Sequence, residues 1–315
     1  MSKVELKIVG IFAGQGIQEV GMGLKLYRKS PLARSLYDTA DVELGYKISE
    51  ISFYGPKALL DKTIHTQPAI LVFNHVNYEL ARTKRGFCVP PFFAGISSGE
   101  YNALLAAHAF SFEGSLKIIK ARAEELQNAC EINPGGLRAV IDTTQDIVDE
   151  LHGLGLKTAL INSPDQIVFG GRTDEIIKAE AYLREKNIRF VDPGVSGAFH
   201  TYLMEPAIDE FTKALDTVEI RDIETPVIAN TTARPITKAW EIREELINQL
   251  TQPVLWQDSI TYLAEQGIHG TSEAGKKRIA TNLVKRIIVG GVIATVVTAA
   301  GIEVAVHWLR HTDRA

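Results

Sequence analysis

Cysteine is scarce in this sequence. Only two of its 315 residues are cysteines, Cys88 and Cys130, and two cannot form the disulfide framework of a small secreted domain. No group of cysteines and histidines has the spacing of a zinc site, so we expect no metal. Residues 1–5 have no apolar region behind a basic start, unlike a secretory signal peptide. We therefore expect a cytoplasmic protein.

The sequence also lacks a strong charge of either sign. The net charge is -4 and the isoelectric point is about 6.1, which argues against a generally basic nucleic-acid-binding protein. One basic cluster lies near the C-terminus and contains Lys276, Lys277, Arg278, Lys285 and Arg286. Such a cluster is typical of a solvated helix face. Docking of an acidic partner and contact with anionic lipid are the alternatives.

No apolar run reaches the length of a membrane-spanning helix. The longest uncharged stretch covers residues 287–302, sixteen residues that include Gly290, Gly291 and Gly301. A spanning helix needs about 20 apolar residues. The Val, Ile and Thr content of this stretch favours a buried strand or helix, and a membrane anchor is the alternative. The role of the tail at 287–315 is left open.

The remaining composition is that of a globular α/β protein. Apolar residues make up 45% and charged residues 23% of the chain, and the length suggests two domains or one large domain with an insertion. A strand from Val4 to Phe12 is predicted to end in a glycine-containing loop. The other predicted elements are a helix over 68–82 that begins at Pro68, a strand over 92–94, and helices over 100–109 and 115–129.

The middle third of the chain has a different pattern. Strands are predicted over 137–142, 157–162, 166–170 and 188–191, and helices over 144–151 and 173–186. Their order is β-α-β-β-α-β, which is typical of ferredoxin-like domains. We therefore predict a ferredoxin-like small domain at 132–198, inserted into a large α/β domain formed by 1–131 and 199–286.

The sequence Gly95-Ile96-Ser97-Ser98-Gly99 matches the G-x-S-x-G motif and lies between a predicted strand and a predicted helix. This context is that of a nucleophile elbow, a sharp turn that exposes the serine oxygen. The motif predicts Ser97 as the nucleophile. The amide of Ser98, at the start of the helix, is predicted to face the developing oxyanion.

A serine nucleophile needs a base, and the chain has eight histidines. The sequence alone does not show which of them reaches Ser97. His200 is the candidate, because it follows a loop of small residues that leaves the inserted domain. The histidines interpreted as structural or exposed are His65, His75, His108, His152, His269 and His307.

Several motifs occur in the order and spacing of a known family: Gly14-Gln15-Gly16, Gly95-Ile96-Ser97-Ser98-Gly99-Glu100-Tyr101 and Gly197-Ala198-Phe199-His200. Further matching motifs begin at Thr66, Ala121, Asn162, Asn230 and Gln249. Over residues 8–286 the chain resembles malonyl-CoA:acyl-carrier-protein transacylases, including the standalone trans-acting acyltransferases of polyketide synthases. The resemblance implies a hydrolase-like parallel-sheet large domain with a ferredoxin-like insertion.

The resemblance also implies roles for individual residues. Ser97 carries the acyl group, His200 is its base and the carbonyl of Gln249 holds that histidine. The amides of Gln15 and Ser98 form the oxyanion hole. Substrate-binding roles fall on Arg122, Ile96, Phe199 and Asn162. Arg122 matches the arginine that binds the malonyl carboxylate, which suits a guanidinium because it donates two parallel hydrogen bonds, and Phe199 limits branching of the acyl unit.

The family's reaction implies malonyl-CoA and an acyl carrier protein as partners, no cofactor of its own, and a monomer. Three parts of the sequence depart from the family pattern: Ile96 stands where histidine is usual, Ser98 where leucine or isoleucine is usual, and residues 272–276 where the family has a Gly-Pro-Gly segment. Three alternatives to malonyl transfer are therefore kept open, and Ile96 favours altered acyl selectivity. They are a trans-acting polyketide acyltransferase for an unusual acyl unit, an editing acyl hydrolase, and a non-catalytic relative that binds a carrier protein.

Overall fold

The computed structural model describes residues 7–274, 278–288 and 294–298, which form two β-sheets with helices around them. The strands are β1 (Ile8–Phe12), β2 (Phe93–Gly95), β3 (Gly135–Ile141), β4 (Lys157–Ser163), β5 (Gln166–Arg172), β6 (Phe190–Val191), β7 (Val227–Ile228), β8 (Pro235–Ile236), β9 (Gly270–Ala274) and β10 (Ala294–Thr298).

The helices before the second sheet are α1 (Leu24–Lys29), α2 (Pro31–Leu44), α3 (Ile48–Tyr54), α4 (Lys57–Leu60), α5 (Thr63–Arg82), α6 (Ser98–Ala106) and α7 (Phe112–Ile132). Those that follow are α8 (Gln145–Gly153), α9 (Thr173–Glu185), α10 (Ile208–Leu215), α11 (Ala239–Asn248), α12 (Trp256–Glu265) and α13 (Ile279–Ile287). A 3₁₀ helix, Tyr202–Ala207, precedes α10.

The large sheet has the strand order β10-β9-β1-β2-β7-β8. All neighbours are parallel except β7 and β8. In β1 the four residues 9–12 are all buried although their side chains alternate between the two faces, so both faces of this strand lie in the core. Phe12 pairs with Gly95, and the carboxyl ends of β1 and β2 therefore lie side by side. Functional loops gather at this edge of a parallel sheet.

The small sheet has the order β4-β5-β3-β6, and all its pairs are antiparallel. Helices α8 and α9 cover it around a separate apolar cluster that includes Val140, Leu151 and Phe169. A β-α-β-β-α-β chain with this strand order is ferredoxin-like. The predicted fold class is confirmed: a parallel-sheet α/β domain together with a small ferredoxin-like sheet. The domain boundaries at 132 and 198 stay a prediction.

The prediction that a helix begins at Pro68 is wrong, because α5 begins at Thr63 and includes Pro68 in its second turn. A proline inside a helix leaves the carbonyl four residues earlier without its usual donor. Here that carbonyl belongs to Ile64, and the hydroxyl of Tyr46 donates to it at 3.1 Å. The side chain of Tyr46 thus supplies the missing hydrogen bond and lets the helix start earlier.

Part of the apolar tail forms an edge strand. β10 pairs in parallel with β9, from Ala294 beside Gly270 to Thr298 beside Ala274. The sequence favoured a buried strand or helix here, with a membrane anchor as the alternative. These five residues form a strand. No helix within 7–274 and 278–288 is long and apolar enough to cross a membrane. The remainder of the tail, and the predicted start of the first strand at Val4, lie outside the described residues.

The basic cluster is only partly described, since Lys276 and Lys277 lie outside the described residues. Arg278 is exposed at the start of α13. Arg286, by contrast, forms an ion pair with Asp165 at 2.5 Å and joins α13 to the turn between β4 and β5. At least this member of the cluster makes an internal contact.

Candidate active site

Ser97 lies at the turn between β2 and α6 with an unusual backbone conformation, φ 53° and ψ -117°. Two glycines allow this turn. A Cβ atom on Gly95 would lie 2.1 Å from the carbonyl carbon of Gly99, and one on Gly99 would lie 2.2 Å from the carbonyl oxygen of Phe12. The turn is further held by Asn230, whose Oδ1 accepts the Ser97 amide at 2.7 Å. The local sequence therefore builds the nucleophile elbow that the motif predicts.

His200 reaches the nucleophile. Its Nε2 lies 2.7 Å from Ser97 Oγ, and its Nδ1 lies 2.7 Å from the backbone carbonyl of Gln249. A carbonyl oxygen only accepts hydrogen bonds, so Nδ1 carries the proton and Nε2 is free to accept from the serine. Burial, helped by the charge of Arg122, lowers the pKa of His200 to about 3. The imidazole is therefore neutral at pH 7, as a base must be.

Arg122 is a buried cation next to the nucleophile. Only 2% of it is exposed, and burial lowers its pKa. Nη2 donates to Ser97 Oγ at 3.3 Å and to Gln249 Oε1 at 3.0 Å, and Nη1 donates to Gln67 Oε1 at 2.5 Å. No carboxylate of the described residues lies within ion-pair distance, and Nε has no hydrogen-bond partner among them. A buried guanidinium without a direct ion-pair partner among the described residues is suited to bind an incoming anion.

The loop after β1 lies against the elbow. A Cβ atom on Gly14 would lie 2.5 Å from the carbonyl oxygen of Ile96, so the glycine is required for this approach. The loop carries Gln15, whose amide donates to no partner in the described part of the chain. The Ser98 amide is the first of α6 and has no acceptor within that helix. Two amides without an acceptor among the described residues therefore belong to the two segments that meet at the elbow.

The other predicted residues lie around this centre with different contacts. Ile96 and Phe199 are 8% and 6% exposed and belong to the main apolar core. Each directly precedes a reactive residue, Ser97 or His200. Asn162 makes no hydrogen bond to Ser97, His200 or Arg122 in the described part of the chain. Its Nδ2 instead donates to Gln166 Oε1 at 3.3 Å, within the hairpin of β4 and β5.

The structure adds residues to which the sequence analysis gave no role. Gln67 accepts a hydrogen bond from Arg122, Asn230 holds the Ser97 amide, and Glu100 accepts from the Gln249 side chain. All three are buried polar residues inside the matching motifs. The sequence did carry a signal for such residues, because they are polar residues at positions where the pattern predicts the core. A buried polar group usually has a hydrogen-bond partner, so each was a candidate for a contact in the site.

The described residues contain no group of three or more His, Cys, Asp or Glu that could hold a metal ion. The reactive groups around Ser97 are the serine itself, a neutral imidazole, a guanidinium and two backbone amides. This set can perform nucleophilic acyl chemistry on a substrate that carries a negative charge.

Comparison with known proteins agrees with this geometry. Residues 9–275 match the family described as acyl transferase domain. The malonyl CoA-acyl carrier protein transacylase of Bacillus subtilis is 34% identical over 89% of this chain and 90% of its own length. The polyketide biosynthesis malonyl CoA-acyl carrier protein transacylase PksC of Bacillus subtilis is 37% identical over 89% and 96%. The polyketide biosynthesis protein ThaF of Burkholderia thailandensis is 38% identical, but the chain covers only 24% of it.

Solved structures are also similar. The malonyl CoA-acyl carrier protein transacylase of Coxiella burnetii has a TM-score of 0.87 at 30% identity, with 92% of this chain and 93% of that one covered. A malonyl-transacylase in complex with its type II polyketide acyl-carrier protein has a TM-score of 0.86 at 28% identity, with coverage of 92% and 95%. The resemblance predicted from the motifs is confirmed.

Proposed function

Because the chain belongs to the acyl transferase domain family, we propose that it moves a malonyl group from CoA to the phosphopantetheine thiol of an acyl carrier protein. One observation carries the proposal. Ser97 Oγ lies 2.7 Å from the neutral His200 and 3.3 Å from the buried cation Arg122. The same oxygen thus has a base to activate it and a charge that recognises an acidic acyl group.

In the first half-reaction His200 Nε2 takes the proton of Ser97 as Oγ attacks the thioester carbonyl of malonyl-CoA. The amides of Gln15 and Ser98 donate to the oxyanion of the tetrahedral intermediate. The intermediate then collapses: the carbon–sulfur bond breaks, and the CoA thiolate receives the proton held on His200. A malonyl ester of Ser97 remains.

The second half-reaction repeats these steps with the carrier thiol. His200 Nε2 takes the thiol proton, and the sulfur attacks the ester carbonyl. The carbon–oxygen bond breaks and Ser97 Oγ recovers the proton from His200. The backbone carbonyl of Gln249 keeps the imidazole in one tautomer through both halves. Both thiols belong to the substrates, so we infer that the chemistry needs no cofactor of its own.

Arg122 supplies the selectivity in this proposal. The malonyl carboxylate accepts hydrogen bonds from Nε, which has no partner among the described residues, and from Nη2 in place of Ser97 Oγ, while Nη2 keeps its contact with Gln249. Phe199 is buried beside His200, and we propose that it limits substitution at the α-carbon. Asn162 is the least supported substrate residue, because its side chain bonds within its own hairpin.

Ile96 favours a second candidate of the same reaction type. An apolar side chain, 8% exposed, directly precedes the nucleophile where relatives of this family usually have histidine. The acyl pocket is then less polar, as suits a trans-acting polyketide acyltransferase with a different acyl unit. An editing hydrolase of simple acyl chains is disfavoured, because those chains have no carboxylate for Arg122.

We further propose a monomer in the cytoplasm, where Cys88 and Cys130 stay free thiols.

The test is the intact mass of the protein after brief mixing with malonyl-CoA or acetyl-CoA. We expect a malonyl adduct on the wild type and none on Ser97→Ala. Arg122→Ala should weaken malonyl loading by about 2–5 kcal/mol, because the substrate carboxylate loses its buried partner, and acetyl loading much less. Persistence of the adduct on Ser97→Ala, or equal losses of both acyl groups on Arg122→Ala, contradicts the proposal.

A further inference from the structure

Glu100 is a buried acid that the proposed reaction does not use. It is fully buried, and it lies three residues after the nucleophile in the first turn of α6. Its Oε2 accepts a hydrogen bond from Gln249 Nε2, and its Oε1 accepts from the backbone amide of Asn230 at 3.1 Å. Burial raises its pKa, helped by the nearby Glu245. Burial of a carboxyl group costs folding free energy unless hydrogen bonds compensate for the lost contact with water.

Its partner Gln249 touches every reactive residue. The backbone carbonyl holds His200 Nδ1, Oε1 accepts from Arg122 Nη2 at 3.0 Å, and Nε2 also donates to the Ser97 carbonyl at 3.2 Å. The two ends of an amide differ, since one only accepts and the other only donates. If the amide of Gln249 turned over, its NH₂ group would face the donors of Arg122, and both contacts would be lost.

Glu100 opposes this reversal, together with Arg122 and the Ser97 carbonyl. Its Oε2 accepts from the NH₂ end of Gln249, and the ionised carboxyl group, which the hydrogen bonds from Gln249 and Asn230 favour against burial, has no donor for the carbonyl end. We propose that Glu100 is a positioning residue, which holds the Gln249 amide in one orientation and thereby holds Arg122 in place to select acyl groups that carry a carboxylate. This inference rests on the proposed function, since it concerns the selectivity of the same site.

The experiment measures the ratio of malonyl to acetyl loading on Ser97, from initial rates at low acyl-CoA concentration, in wild type and Glu100→Gln. The glutamine has the same shape and offers either an oxygen or an NH₂ group, so the contact at residue 100 no longer favours one orientation of Gln249. We expect the ratio to fall by about tenfold, as for the loss of one hydrogen bond to a charged group. The loss should fall mainly on malonyl loading.

Glu273→Gln is the matched control. Glu273 is another buried carboxyl group whose pKa is raised by burial, but it accepts hydrogen bonds from the backbone amides of Ala280 and Thr281, away from Glu100 and Gln249. We expect Glu273→Gln to keep the wild-type ratio. A ratio that is unchanged in Glu100→Gln, or that falls equally in both variants, overturns the inference.

Two further variants keep the test decisive. If Glu100→Gln does not fold, Gln249→Met removes the amide but keeps the backbone carbonyl on His200, and it must lower the ratio; an unchanged ratio overturns the inference. In an Arg122→Ala background, Glu100→Gln must not change the ratio further, because its effect passes through Arg122.

A wild type that forms no Ser97 ester defeats the proposed function itself. A wild type that loads malonyl, with an unchanged Glu100→Gln ratio, defeats only the inference.

Discussion

Ser97 is held in its unusual backbone conformation by two hydrogen bonds from the side chain of Asn230. Positive φ at a residue other than glycine costs about 1–3 kcal/mol when the backbone is strained, and Ser97 has φ 53°. Asn230 compensates, because its Oδ1 accepts the Ser97 amide and its Nδ2 donates to the Gly95 carbonyl, both at 2.7 Å. One asparagine side chain therefore ties both sides of the turn that presents the nucleophile.

The pKa of His200 predicts the acid limit of the reaction. An ordinary histidine has a pKa of about 6.5, whereas burial and the charge of Arg122 lower that of His200 to about 3. We therefore expect kcat/KM for malonyl loading to stay level as the pH falls from 8 through 6.5, and to decline only well below pH 6. The measurement is the single-turnover rate of Ser97 acylation against pH.

Acid unfolding needs a control in that experiment. The unfolded chain binds a proton on His200 below about pH 6.5, and the folded chain does not until about pH 3. This residue's contribution to stability is therefore present above pH 6.5 and is lost as the pH falls toward 3. Samples returned to pH 7.5 must regain the full rate. A rate that halves near pH 6.5 in protein that is still folded contradicts the assigned pKa.

At the scale of elements, the site depends on the close approach of two strand ends. The first turn of α6 crosses the end of β1, where Gly99 leaves no room for a side chain against the carbonyl oxygen of Phe12. The backbone of β1 takes part in the sheet on both sides, with β2 and with β9. It cannot move away easily, so the space around Gly99 is fixed by the sheet.

Gly99→Ala should therefore damage both stability and activity. Its methyl group would lie 2.2 Å from a backbone oxygen, and we expect a loss of about 1–3 kcal/mol in unfolding free energy, as for an overpacked core, together with slower Ser97 loading. Gly153→Ala is the control, because a Cβ atom there has no neighbour within 4 Å. Thermal melting and loading rates measure both effects. Equal melting temperatures for the two variants would contradict this prediction, because the sheet would then have shifted to make room for the methyl group.

The elements that sequence patterns predicted well are those with local signals. The ferredoxin-like strands and helices have clear periodicity, and their predicted and observed bounds differ by about two residues, within the usual error. The start of α5 was missed because the helix accommodates Pro68 through a hydrogen bond from the Tyr46 hydroxyl to the Ile64 carbonyl. No local sequence pattern shows this hydrogen bond. The pairing of β10 with β9 was likewise invisible, since an apolar run fits a strand or a helix equally.

At the scale of the whole molecule, the site joins residues far apart in the chain. Motif order pointed to Ser97, His200, Arg122 and Gln249, and the structure brings these four together. It did not point to the contact of Asn230 with Ser97, 133 residues away, or of Gln249 with Glu100, 149 residues away. Hydrogen-bond partners across such distances follow from the fold, and a single sequence carries no direct signal of them.

The most direct test of the central claim, transfer to a carrier protein, is the fate of the isolated malonyl ester on Ser97. The loaded protein is mixed with carrier protein that bears phosphopantetheine, with the same carrier lacking it, or with buffer alone, and intact mass is followed with time. We predict rapid loss of the ester and an equal gain of malonyl mass on the phosphopantetheinylated carrier, with slow loss in the other two mixtures. Loss at one common rate in all three, with no malonyl carrier formed, would contradict the account and indicate a hydrolase.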